Sequence, residues 1–267
     1  MDIAPAKLAE TERLRGLSNS CGRMVERAVS GDAEACCDVA YVLLSWKSSP
    51  SAREAVHWLK EAIKLGVSGG WARSQLALCY YLGEGIRTNY KKAFELYQSI
   101  PPRERHGGDL CNLGWLYGQG KGVRQDRRKA LDLYRQAARL GSAAAMTNIA
   151  GYHEDGKGGL RKSVRQAVRW WWKAARAGDD EAQCRVGYCM HEGEGMRRDL
   201  AKAATFYRLA ARQEFTPAQW NLGLCYFEGE GVPRSRAMAI KWMRRAALNG
   251  HRGAKRWLAR EGVPDKK

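Results

Sequence analysis

Leu113-Gly114-Trp115-Leu116-Tyr117, then Gly120-Lys121-Gly122-Val123, Asp126, Lys129-Ala130, Tyr134 and Gln136-Ala137-Ala138 form the stretch whose reading decides the fold. Its first part carries apolar residues at helical spacing, its middle is a G-x-G loop, and its last part is a second helical pattern with alanines seven residues apart. The pattern recurs along the chain. G-x-G loops stand at Gly83/Gly85, Gly120/Gly122, Gly156/Gly158, Gly193/Gly195 and Gly229/Gly231, and successive second glycines are 37, 36, 37 and 36 residues apart. A fixed period in this range is the signature of a repeat array.

Each loop follows a helix A with an apolar residue and then Ala or Gly: Leu76-Ala77, Leu113-Gly114, Ile149-Ala150, Val186-Gly187 and Leu222-Gly223. Downstream, helix B carries the alanine pairs Ala130/Ala137, Ala167/Ala174, Ala203/Ala210 and Ala239/Ala246, with a large pair between them: Leu133-Tyr134, Trp170-Trp171, Phe206-Tyr207 and Trp242-Met243. Small residues let two helix axes approach closely, and the large pair fills the space toward the next repeat. The first glycine of each loop suits a left-handed helix end, the second a sharp turn into helix B, and Gly66, Gly141, Gly178 and Gly250 close helix B in turn.

These residues together resemble the Sel1-like repeat, a relative of the tetratricopeptide repeat with a longer loop between its helices. The resemblance covers residues 32–250 as about six repeats, two of them atypical. In Asp32–Gly66 the residues Ala55, Trp58, Ala62 and Gly66 are kept, but a Ser45–Ser51 loop around Pro50 replaces the glycine loop. The second repeat ends at Pro101-Pro102, which stops its helix B early. Residues 1–31 read as an N-terminal half-repeat closing on Arg27–Gly31, and residues 251–267 as a C-terminal capping helix and tail. The expected architecture is all-α, a right-handed α-solenoid of tandem antiparallel helix pairs.

Nothing in Met1–Cys21 has the continuous apolar stretch of a signal peptide, and no later run approaches a membrane span, so the expectation is an intracellular, cytoplasmic protein. The eight cysteines fit that expectation as reduced core fillers. Cys79, Cys189 and Cys225 share one repeat position and Cys111 and Cys184 another, whereas the five-residue step from Cys184 to Cys189 puts those two on different helix faces. The net charge of +18 attracts polyanions without specificity and says nothing of the fold.

Enzyme signatures fail on inspection. Gly151–Lys157 has P-loop spacing, but Gly158 stands where Ser or Thr is needed and a helix precedes it. His57, His106, His153, His191 and His251 have no metal-ligand spacing, and no serine sits in a nucleophile elbow. No catalytic residue, metal or cofactor is expected, and no small-molecule substrate or membrane.

Stacking equivalent positions defines two faces. On helix A, one column runs Gln75, Asn112, Asn148, Arg185, Asn221, and three residues on another runs Leu78, Trp115, Gly151, Tyr188, Leu224. By resemblance to related solenoids, helix A lines a concave groove where Asn side chains hold an extended peptide. That makes Asn112, Asn148 and Asn221 backbone-binding candidates, Arg185 the partner of an acidic group, and Trp115 and Tyr188 the apolar contacts of a protein or peptide partner. On helix B the column Lys60, Arg135, Trp172, Arg208, Arg244 is basic, as are the loop exits Arg87, Arg124, Arg161, Arg197 and Arg234. A solvated face accounts for these positions, and RNA or an acidic partner is the rival use. Trp172 is either a partner anchor or an aromatic folded back onto Trp171. The leading expectation is a non-catalytic interaction scaffold.

Overall fold

The computed structural model describes residues 19–46 and 49–263, and the chain divides after residue 130 into two compact units. The first holds α1 (Asn19–Val29), α2 (Ala33–Ser45), α3 (Ser49–Lys64), α4 (Trp71–Leu82), α5 (Tyr90–Ser99), a 3-10 turn (Pro102–Glu104) and α6 (Gly107–Gln119). Helix α7 (Arg127–Arg139) begins in it. The second holds α8 (Ala143–Asp155), α9 (Val164–Arg176), α10 (Asp180–Glu192), α11 (Leu200–Arg212), α12 (Thr216–Glu228), α13 (Arg236–Leu248) and α14 (Arg252–Arg260). Among the described residues there is no strand, and helices pack on their neighbours in sequence, which is the all-α helix-pair architecture expected.

The loop chemistry is built as the glycine pattern requires. Gly83, Gly120, Gly156, Gly193 and Gly229 each close a helix A in the left-handed region, at φ between 67° and 81°. The chain then returns to helix A before helix B begins: Asp126 N–H donates to the Tyr117 carbonyl, Asp199 N–H to Met190 and Ser235 N–H to Tyr226. Those three residues start α7, α11 and α13, whose first-turn N–H groups their side chains also accept. The second glycines Gly85, Gly122, Gly195 and Gly231 do more than turn the chain. A Cβ on Gly122 would lie 2.5 Å from the backbone at Tyr90 and Lys91, so this position abuts the first turn of the preceding helix B.

All eight paired alanines of helix B, from Ala130 to Ala246, are fully buried. Opposite them, a Cβ on Gly187 would meet the Tyr207 ring at 2.9 Å and one on Gly223 the Met243 methyl at 2.9 Å. Small residues on both helices therefore set the axial separation, and Tyr207, Trp171 and Met243 fill what remains.

The atypical repeats depart from expectation in one respect. The Ser45–Ser51 loop is mostly helix, because α2 runs to Ser45 and α3 starts at Ser49, leaving only Trp46, which caps α2, and positions 47–48, which are outside the described residues. Pro50 sits in the first turn of α3, where its missing N–H has no partner to lose. Helix α5 ends at Ser99 after ten residues, before Pro101, whereas helices α6 to α13 have thirteen each. Of the N-terminal half-repeat, residues 1–18 lie outside the described residues, and α1 closes on Gly31 at φ 97°. At the other end, α14 is capped by the His251 ring and residues 264–267 are outside the description.

Candidate partner-binding site

The helix-A columns carry side chains that the fold itself has taken up. In the first unit, half-buried Asn112 donates from Nδ2 to the Tyr97 phenol oxygen at 2.8 Å, and burial holds that phenol above its ordinary pKa. Trp115 packs edge-on to Tyr81, with centroids 5.1 Å apart, and tilted against Tyr90 at 5.7 Å. Desolvation pushes the Tyr81 hydroxyl up to about 12. In the second unit, Asn148 donates from Nδ2 to the Ala144 carbonyl at 2.9 Å. The Arg185 guanidinium lies over the Trp171 ring, 5.2 Å from its centroid, and 3.6 Å from the Glu154 carboxylate of α8. Asn221 donates from Nδ2 to Cys184 Sγ at 3.8 Å. Tyr188 alone of the six candidates is well exposed, at 44%.

Two of these contacts join consecutive A helices: Arg185 to Glu154 across α10 and α8, and Asn221 to Cys184 across α12 and α10. The column thus orients its own members. An amide carries two N–H donors and an acceptor oxygen, so one hydrogen bond each for half-buried Asn112 and Asn221 does not use all of their bonding capacity.

The helix-B and loop residues divide differently. Arg135 pairs with Asp132 at 3.4 Å on the open surface, and Arg208 donates to the Tyr226 hydroxyl at 3.3 Å. Arg244 is half-buried. Trp172 does not fold back on Trp171; it packs on Phe206 of the next helix B, with centroids 5.3 Å apart. The loop residues Arg124, Arg161 and Arg197 are exposed. The histidines are structural where their contacts are described. His251 caps α14 and stacks on Trp220 at 4.7 Å, and His191 bridges Glu192 at 2.9 Å and Glu230 at 2.7 Å. Six thiols, Cys36, Cys79, Cys111, Cys184, Cys189 and Cys225, are buried, and none of them is in a disulfide.

A profile of the Sel1 repeat matches residues 33–67, 72–99, 110–142, 143–179, 180–215 and 216–251. The chain belongs to the Sel1 repeat family. Sel1 repeat proteins are in general protein-interaction scaffolds. Among curated proteins none matches. Among solved structures, the Sel1 repeats here resemble c5321, described as a protective antigen of uropathogenic Escherichia coli strains, at 25% identity and TM-score 0.69. That likeness covers 91% of this chain and 52% of that one, so the chain spans about half the length of that protein. A Sel1 repeat protein from Oxalobacter formigenes is similar at 26% identity and TM-score 0.68, over 78% of this chain and 89% of that one. The immunity protein Pa5087 of Pseudomonas aeruginosa, at 17% identity and TM-score 0.52 over 81% of each chain, shares the fold. No described helix is long and apolar enough to cross a membrane.

The helix-A columns extend into the first repeat. Val39-Ala40 of α2 occupies the place of Leu113-Gly114, which makes Asp38 the counterpart of Asn112 and Tyr41 that of Trp115. The missing glycine loop hid the register, although the buried Val39-Ala40 pair could have supplied it.

Proposed function

We propose that this chain is a non-catalytic scaffold whose helix-A faces hold a peptide or a folded protein partner. The carrying observation is the α8–α10–α12 face, where Arg185 and Asn221 are held in place by contacts to neighbouring A helices while Tyr188 stands exposed beside them. Such orientation lowers the entropy lost on binding. An exposed tyrosine supplies a broad contact at small rotamer cost. Asn148, Arg185 and Asn221 bind partner backbone and an acidic group, Tyr188 its apolar side chain, and Asn112 with Trp115 play the matching part in the first unit. A cytoplasmic location belongs to the same reading.

Helix B and the loop exits are the control surface. With Arg135, Trp172 and Arg208 each engaged within the protein, the basic columns read as a solvated face. The test is capture from lysate with and without nuclease treatment, with captured partners identified by mass spectrometry. Replacing Asn148 and Arg185 together by alanine is expected to abolish capture at unchanged helicity, and Arg208→Glu with Arg244→Glu to leave it intact. The opposite result, with binding lost between low and moderate salt, would establish polyanion binding through the basic columns and Arg124, Arg161 and Arg197 instead.

A further inference from the structure

The first unit contains a cleft of about 360 Å³ lined by Glu34, Cys37, Asp38 and Tyr41 of α2, by Val67 and Ser68 of the α3–α4 connection, and by Trp71 and Ala72 of α4. Its α2 wall follows helical geometry. Positions 34, 37, 38 and 41 are spaced i, i+3, i+4, i+7 and so share one face, which places two carboxylates, a thiol and a phenol in a single stripe. Tyr41 is 65% exposed, an unusual state for an aromatic that the fold could have buried, and its ring stands 6.3 Å from that of Trp71 at 56°. The two rings form an open wedge rather than a closed stack.

Helix economy does not explain this composition. Glu34 lies in the first turn of α2, where a carboxylate favours the helix dipole. Asp38 lies beyond that turn and repels Glu34 at i+4, which costs an isolated helix a few tenths of a kcal/mol, roughly 0.2–0.5. Cys37 between them reports their field: burial first, then the Asp38 and Glu34 charges, raise its thiol above the ordinary value. Among the described residues neither carboxylate is joined to a cationic side chain. In a chain of net charge +18, the cleft is a local reversal of sign backed by aromatic surface.

We propose that the α2–α4 cleft is a receptor for an arginine side chain of a basic peptide, its guanidinium against the Tyr41 and Trp71 rings and its N–H groups on the Glu34 and Asp38 carboxylates. A planar guanidinium stacks on aromatic faces and forks onto carboxylates, which an ammonium does less well. The volume is ample for one such side chain. Since Asp38 and Tyr41 are the first-repeat members of the helix-A columns, the inference rests on the reading that helix A is the docking face. It adds what the first repeat selects.

The probe is N-acetyl-arginine amide at constant ionic strength, with the citrulline amide as its neutral isostere, followed on the Trp71 indole N–H signal assigned by loss in Trp71→Phe. The arginine probe is expected to shift that signal saturably and the citrulline probe to leave it in place. Glu34→Gln with Asp38→Asn, checked by circular dichroism, is expected to weaken the response at least tenfold, and Tyr41→Leu to weaken it with both carboxylates retained. A response equal for citrulline, one undiminished in the carboxylate variant, or none overturns the proposal. The double variant of Asn148 and Arg185 must keep the arginine response. If that variant abolishes partner capture while the arginine probe fails, the cleft is wrong and the docking face stands; if the probe binds and capture is unaffected, only the docking face falls.

Discussion

The second unit keeps the repeat rules and the first bends them, and the side chains presented by helix A change with that regularity. From α8 to α13 every helix has thirteen residues and each helix A ends on a left-handed glycine. On that face the columns carry Asn148, Arg185 and Asn221, already tied to neighbouring residues. In the first unit α3 extends to sixteen residues, α5 shrinks to ten, the glycine loop between α2 and α3 is missing, and the column opens with Asp38 and Tyr41 around a cleft. Regular repeats solve the packing problem once and copy the solution. Departures mark places where the surface is free to be something other than a copy.

The sharpest way to break this comparison is to put one substitution in the same loop position of both units. Gly122→Val in the first unit forces a Cβ to 2.5 Å from the Tyr90–Lys91 backbone at φ 72°, whereas Gly195→Val in the second meets the Val164 and Val168 side chains at 3.1 Å and the Val164 backbone only at 3.3 Å, at φ 71°. Both carry the penalty of a β-branched residue in the left-handed region, about 1–3 kcal/mol. Side chains can yield and backbone cannot, so Gly122→Val is expected to cost more, roughly 3 kcal/mol or above, and to raise hydrogen exchange only in its own and adjoining repeats. A uniform rise along the chain would show that the units do not behave as repeat arrays.

That substitution pair also shows what the sequence could tell. The glycine spacing announced left-handed helix ends and the repeat number, because only those positions tolerate no other residue. It could not tell that the second glycine lies against the preceding helix B, since that contact joins residues more than thirty positions apart. The helix-A columns were legible as positions, but their bonding was not. Asn112, Asn148 and Asn221 look identical in a column, and their partners are a phenol, a backbone carbonyl and a thiol. The first repeat stayed partly hidden because Pro50 reads as a loop residue but starts a helix as readily.

A smaller effect separates the two asparagines. Asn112→Ala removes the partner of the Tyr97 hydroxyl, which is 1% exposed, and an orphaned buried hydroxyl costs about 1–3 kcal/mol. Asn148→Ala removes a bond to a carbonyl of its own helix from a half-buried side chain and orphans no buried hydroxyl, so it is expected to cost less, about 1 kcal/mol. Urea midpoints measured on the two variants check the ordering. Equal midpoints would mean that the Tyr97 contact carries no more than its counterpart in the regular unit.

Thiol reactivity compares the units without mutation. Burial raises Cys36, Cys79, Cys189 and Cys225 to about 11 and Cys184 to about 12, so little thiolate exists at neutral pH. Mass spectrometry of non-reduced protein is expected to find free thiols, with Cys79, Cys189 and Cys225 alkylating only as each unit unfolds. Among the described thiols half-exposed Cys37 reacts first, slowed by the carboxylates beside it. A Cys–Cys bridge would contradict both the packing and the proposed cytoplasmic location.

The smallest expected effect belongs to the second unit alone and concerns pH. His191, near the end of α10, reaches Glu192 with Nδ1 and Glu230, in the loop after α12, with Nε2. Both ring nitrogens donate only when the imidazole is protonated. Partial burial pulls its pKa down, but the hydrogen bonds to Glu192 and Glu230 outweigh that and leave it above the ordinary 6.5. A folded pKa raised above the unfolded one means that the bridge contributes fully below pH 6.5 and is lost as pH climbs through the folded value. His153 and His251 are shifted downward, chiefly by burial, so their contributions run the other way, present above 6.5 and lost as pH falls. The net profile therefore mixes signs, and the informative quantity is the difference between wild type and His191→Gln. Wild type is expected to gain relative to the variant as pH is lowered from 8 to 6, by a small amount because the ring is partly open to solvent, which screens the pair. Hydrogen exchange at Glu230 and at Asp199, whose N–H donates to the Met190 carbonyl, should follow that difference. A difference independent of pH would mean that His191 serves only as a neutral spacer between the second unit's consecutive loops.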